Sequence, residues 1–154
     1  MNKLEYIPGD LVMTNGVPLG TAKDVVYRVT SSDPTKTLKL DNGTVLKGVV
    51  CFENIEGAKF EDKGYLFGAC CAWVKDIVPI PLTPAILEKN RWYKGTSEFV
   101  HYRKKFGSLS FRLTGLKYGW LIKCGNMYLI KRVKFIHQLQ HFLFGLNINS
   151  DLEV

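Results

Sequence analysis

A chain of 154 residues, 46% hydrophobic and 23% charged, has the balance of an ordinary globular protein, long enough to bury its own core, which excludes wholesale disorder. Its apolar runs, Phe67 to Val74 and Phe142 to Leu146 among them, fall far short of the roughly 20 residues that cross a bilayer, which excludes a transmembrane helix. The net charge of +7 sits in one half: residues 1–80 hold nine Lys and Arg against ten Asp and Glu, a net of −1, and residues 81–154 hold twelve against four, a net of +8.

The first six residues lack the apolar stretch of a secretion signal, so a cytoplasmic location is expected. Pro8-Gly9-Asp10 opens a strand at Leu11 to Met13, and Asn15-Gly16 turns the chain. Asp24 to Thr30, rich in β-branched residues, reads as a second strand that Ser31 to Pro34 breaks. Thr37 to Leu40 and Thr44 to Phe52 flank Asp41-Asn42-Gly43, where Asn-Gly supplies the positive φ angles of a tight hairpin. Glu53 to Gly68 reads as a long loop, and Ala72 to Pro79 as a further strand. Five short strands with glycine-marked turns point to a small SH3-like β-barrel over residues 1–80, although other five-stranded arrangements fit the same pattern.

Pro79-Ile80-Pro81-Leu82 is a stiff extended connector, which places a lobe boundary at about residue 80 and a second, basic lobe over residues 81–154. Thr83 is a predicted N-cap, Pro84 the first helical residue, and Ala85 to Asn90 the rest of a short linking helix. Leu109, Phe111 and Leu113 alternate with Ser110 and Arg112, and Leu116, Tyr118, Trp120 and Ile122 with Lys117 and Lys123, so an antiparallel sheet with one apolar and one basic face is expected. Phe99 to Phe106 and Met127 to Val133 extend it. The chain closes on an amphipathic helix whose Phe135, Ile136, Leu139, Phe142, Leu143 and Leu146 form one stripe, to be laid on the apolar face of the sheet. The fold class expected from these elements is α+β.

Four cysteines, Cys51, Cys70, Cys71 and Cys124, form no C-x-x-C pair and read as buried reduced thiols. Buried apolar surroundings raise a thiol pKa, which argues against a nucleophile. His137 and His141 have the i, i+4 spacing of zinc ligands, yet residue 138 is Gln and no third ligand is evident, so both are expected on the polar side of the last helix without metal or other cofactor. No phosphate-cradling glycine fingerprint occurs, and the carboxylates of residues 53–62 read as solvated loop charge. Nothing in the chain points to an enzyme.

The basic face carries the functional signal. Arg112, Lys117 and Lys123 are expected to be co-facial, with Arg103, Lys104, Lys105, Lys131, Arg132 and Lys134 near the strand ends and Tyr93, Tyr102, Tyr118 and Trp120 interleaved; Tyr118 and Trp120 fall on the predicted core side. Lysines and arginines so grouped neutralise phosphates, and exposed rings stack on bases. Lys131, Arg132 and Lys134 also adjoin the start of the last helix, where the dipole favours an anion; they either receive one there or are simply solvated.

The segments Pro79 to Asn90 (PIPLTPAILEKN) and Phe135 to Gln140 (FIHQLQ) resemble those of short proteins common in genomes and prophages of Bacteroides-like bacteria, in which an IPLTPEILEKNGF-type helix links an N-terminal β module to a lobe ending in a VHQLQ-type helix. Ala85 stands where glutamate is usual in that group and Arg91 where glycine is usual. The resemblance carries no activity with it and implies a mobile-element setting. The expected function is therefore a non-enzymatic binding protein that engages nucleic acid or a nucleoprotein complex through its basic C-terminal surface; the alternative is an anti-CRISPR-like inhibitor that binds an RNA-guided nuclease directly.

Overall fold

The computed structural model describes residues 5–154, apart from the side chain of Lys131. The chain divides between Ile80 and Pro81 into two compact units. The division falls where two prolines fix φ and keep the intervening residues extended.

The first unit is one antiparallel sheet of β1 (Leu11–Thr14), β2 (Tyr27–Lys39), β3 (Val45–Asn54), β4 (Cys70–Trp73) and β5 (Ile77–Pro79), in the order β4-β3-β2-β1-β5. The hairpin between β2 and β3 closes on Gly43, which takes φ +84° in the turn that pairs Lys39 with Val45. Ser31 to Pro34 do not break the strand as expected. β2 runs on through them with register shifts after Val29 and after Asp33, and Pro34, which has no N–H for a ladder bond, lies within the second. The predicted strand from Ala72 to Pro79 is likewise split, by a single 3-10 turn at Val74–Asp76.

The SH3-like barrel is not formed. β4 and β5 are both edge strands, no ladder joins them among the described residues, and the sheet does not close. It is nevertheless strongly curled: the edges of a flat five-stranded sheet lie about 19 Å apart, whereas the three residues between Trp73 and Ile77 let the chain reach at most about 14 Å. The curled face buries Tyr6, Val12, Tyr27, Val29, Val50, Phe52, Leu66, Ala72 and Ile77. Tyr27 and Phe52 pack with ring centroids 5.2 Å apart, and the Tyr27 hydroxyl donates to Gly64 O (2.8 Å) and accepts from Ala22 N–H (3.2 Å), tying the long loop to the core.

Register also decides the cysteines. Cys51 on β3 and Cys71 on β4 are directly opposite, with Cα atoms 4.0 Å apart, and are joined as a disulfide. The expectation of four reduced buried thiols is therefore corrected: Cys70 and Cys124 are free, and both are half-buried.

The second unit begins with α1 (Pro84–Lys89), capped as expected by Thr83, whose Oγ1 accepts the Ile86 N–H. A five-stranded antiparallel meander follows: β6 (Tyr93–Ser97), β7 (Val100–Phe106), β8 (Leu109–Leu116), β9 (Gly119–Cys124) and β10 (Met127–Val133), in spatial order β10-β9-β8-β7-β6. Its apolar face contributes Tyr102, Phe111, Leu113, Ile122 and Val133 to a core shared with Leu87, Trp92 and the final helix α2 (Ile136–Gly145). Phe142 of α2 meets Phe111 edge-on at 5.4 Å, and Phe106 bridges Phe111 to Trp92. Among the described residues there are ten strands and two α-helices, a mostly antiparallel β fold, and the α+β expectation gives way with the barrel.

Helix α2 departs from its predicted stripe. Ile136, Leu139 and Leu143 are buried, but Leu146 is exposed, and His137 and Gln140, expected on the polar side, are buried instead. The His137 ring lies nearly parallel to Phe135 at 5.8 Å, and Gln140 Nε2 donates to Ser150 O of the C-terminal tail.

Candidate functional site

The alternation read along β8 has a geometric consequence. Phe111 and Leu113 point to the core, so Ser110 and Arg112 project from the opposite face. Register then lines up one residue from every strand of the meander: Tyr93 opposite Arg103, Arg103 opposite Arg112, Arg112 opposite Lys123, and Lys123 opposite Tyr128. Three cations stand side by side across the sheet, about 4.8 Å apart at the backbone, with an exposed tyrosine at each end. The Lys123 ammonium lies 4.5 Å from the centre of the Tyr128 ring. Like charges directly opposite one another destabilise a sheet. A fold that carries three in a row bears a cost that packing does not explain.

Beside this row, toward the start of β6, is a cavity of about 510 Å³ lined by Arg91, Tyr93, Arg103, Lys104, Lys105, Ser110 and Arg112, with no carboxylate among them. Its cause is a size mismatch. Ser110 is short, while its cross-strand partner Lys105 and its neighbour Arg112 are long, so a depression opens over the serine.

Arg91 forms the outer wall through an unusual backbone. The end of α1 is closed by bonds from Arg91 N–H to Glu88 O and from Trp92 N–H to Leu87 O, and this closure puts Arg91 in the left-handed region at φ +62°. Glycine is the ordinary residue at such a helix end, and a residue with a Cβ costs about 1 kcal/mol there. Lys104, on the core side of β7, donates to Asn90 O (2.7 Å) and lies 4.9 Å from the Phe106 ring centre. Burial, and then the Arg91 charge, hold its pKa below the ordinary lysine value.

Of the residues expected to bind, Arg103, Lys104, Lys105 and Arg112 line the cavity, and Lys123 continues the row. Lys117 does not join them. It lies in the hairpin turn between β8 and β9, its ammonium 5.3 Å from the Tyr118 ring centre, and Tyr118 is exposed rather than in the core. Trp120 is half-buried and donates through Nε1 to Leu82 O. Tyr102 is buried, and its hydroxyl donates to Glu88.

At the start of the last helix the sequence leaves two alternatives, a bound anion or plain solvation of the charges, and Gln138 belongs to that start. Gln138 Oε1 reaches back to accept the N–H groups of Lys134 (2.7 Å) and Phe135 (3.1 Å). Arg132 and Lys134 are exposed on either side of the buried Val133 and line no part of the cavity, and the side chain of Lys131 lies outside the described residues. Arg91, Ser110 and Tyr128 carry no binding signal in the sequence; alternation puts Ser110 on this face, the β9–β10 register sets Tyr128 beside Lys123, and the turn after α1 brings Arg91 to the cavity.

Among the described residues no three His, Cys, Asp or Glu side chains come together as a metal site, and no helix is long and apolar enough to cross a membrane. No family model, curated protein or solved structure matches the chain.

Proposed function

We propose that this is a non-enzymatic nucleic-acid-binding protein, of the kind carried by mobile elements, that takes a single strand across the exposed face of its C-terminal sheet. The observation that carries the proposal is the register row Tyr93, Arg103, Arg112, Lys123, Tyr128. Arginine and lysine at regular spacing neutralise successive phosphates, and tyrosine rings offer π-faces that unpaired bases can use and paired bases cannot. The row is about 19 Å long at the strand spacing of a sheet, room for a handful of nucleotides. A cytoplasmic location suits such a partner. Direct inhibition of an RNA-guided nuclease has no observation of its own beyond the same basic face.

The test is fluorescence anisotropy with short single-stranded RNA and DNA over a range of salt. Arg103, Lys105, Arg112 and Lys123 on one face predict a log–log salt slope of about −3. A flat salt response, or equal affinity for a blunt duplex of the same length, would refute the proposal.

A further inference from the structure

The row and the cavity differ in a way that points to different phosphates. Along the row each of the three inner strands offers one cation, enough for the single charge of an internal phosphodiester. Around Ser110 five cationic residues, Arg91, Arg103, Lys104, Lys105 and Arg112, line one depression with no carboxylate among its lining residues. The depression lies at the Tyr93 end of the row, where β6 is the last strand of the sheet. Arg91, which completes the ring, occupies a backbone conformation that favours glycine, so its guanidinium is retained against a local conformational cost.

We infer that this cavity holds the terminal phosphate of a bound strand, a phosphomonoester that carries close to two negative charges at neutral pH. The inference rests on the single-strand reading of the sheet. A guanidinium presents two parallel N–H donors to two oxygens of a phosphate, the Ser110 hydroxyl supplies a further donor, and Tyr93 is placed to stack on the terminal base. The row then guides the rest of the strand toward Tyr128.

The experiment compares one hexanucleotide in three forms, with a 5′-phosphate, with a 3′-phosphate and with hydroxyls at both ends, on the full chain and two variants. In the unaltered protein one of the two phosphorylated forms binds about tenfold tighter than the hydroxyl form. Arg91→Gly abolishes that gain and leaves affinity for the hydroxyl form within about twofold, with the fold intact because glycine is at ease at positive φ. Lys123→Gln weakens all three forms by a common factor and keeps the gain. Equal binding of the three forms, or a gain that survives Arg91→Gly, overturns the terminal-phosphate inference and leaves the single-strand reading standing. A mononucleotide with the same phosphate that binds as tightly as the hexanucleotide overturns the strand-end assignment. Absence of binding by all forms overturns both.

Discussion

Arg112 is the central cation of its row, with Arg103 on one side and Lys123 on the other in direct register. Replacing it with glutamine keeps the length of a polar side chain and removes the charge that both neighbours oppose. Two unit charges about 7 Å apart in water repel by about 0.6 kcal/mol, so relieving both contacts stabilises the second unit by about 1 kcal/mol at low salt. For a unit of this size that is a rise in melting temperature of about 6 °C. At 0.5 M salt the screening length falls below the separation of the charges, and the gain should largely vanish. Binding moves the other way. Loss of one phosphate contact makes the single-strand salt slope shallower by about 0.7 and weakens binding about five- to tenfold near 0.1 M salt. Calorimetry at two salt concentrations and anisotropy titrations measure the two halves. A variant that melts lower than the parent at low salt, or one that binds as well, would refute the account of this row as repulsion retained for a polyanion.

Two further outcomes follow from the chemistry of each unit. Cys51 and Cys71 close a loop with a sequence separation of 20, so Cys51→Ser/Cys71→Ser should destabilise the oxidised first unit by about 3 kcal/mol; hydrogen exchange of the β3 amides should accelerate more than a hundredfold, and unchanged protection would contradict the link. Glu88 has its pKa lowered chiefly by the hydrogen bond from Lys94, then by that from Tyr102, while the Lys94 pKa is raised by the same contact. A carboxylate with a depressed folded-state pKa adds stability above its ordinary value of about 4.3, and that contribution is lost as pH falls through the folded value. Glu88→Gln should therefore flatten the loss of stability between about pH 5 and pH 3, an effect that salt reduces because the pair is exposed. An identical acid profile in parent and variant would remove the pair from the account.

What the amino-acid sequence determined by itself is local. The Thr83 cap with Pro84 at the helix start, the Asn42-Gly43 hairpin and the alternation that buries Phe111 and Leu113 while exposing Arg112 each depend on a few adjacent residues, because capping, turn geometry and the period of a strand act over short spans. The tertiary structure decided everything that depends on which segments meet. Cys51 and Cys71 become a pair only through the β3–β4 register, and Tyr118 leaves the core because the β8–β9 hairpin turns at it rather than before it. Gln140 is met by a tail that no helical period reports, and His137 is buried beside Phe135. The candidate site divides the same way. The concentration of charge in residues 89–134 and the face Arg112 takes are local properties, whereas the alignment of Arg103, Arg112 and Lys123 and the place of Arg91 and Lys105 on one depression with Ser110 arise from the register between the strands of the meander and from the chain's entry into it. A strand's period sets which side of the sheet a residue faces. Only the register of its partners sets what stands beside it.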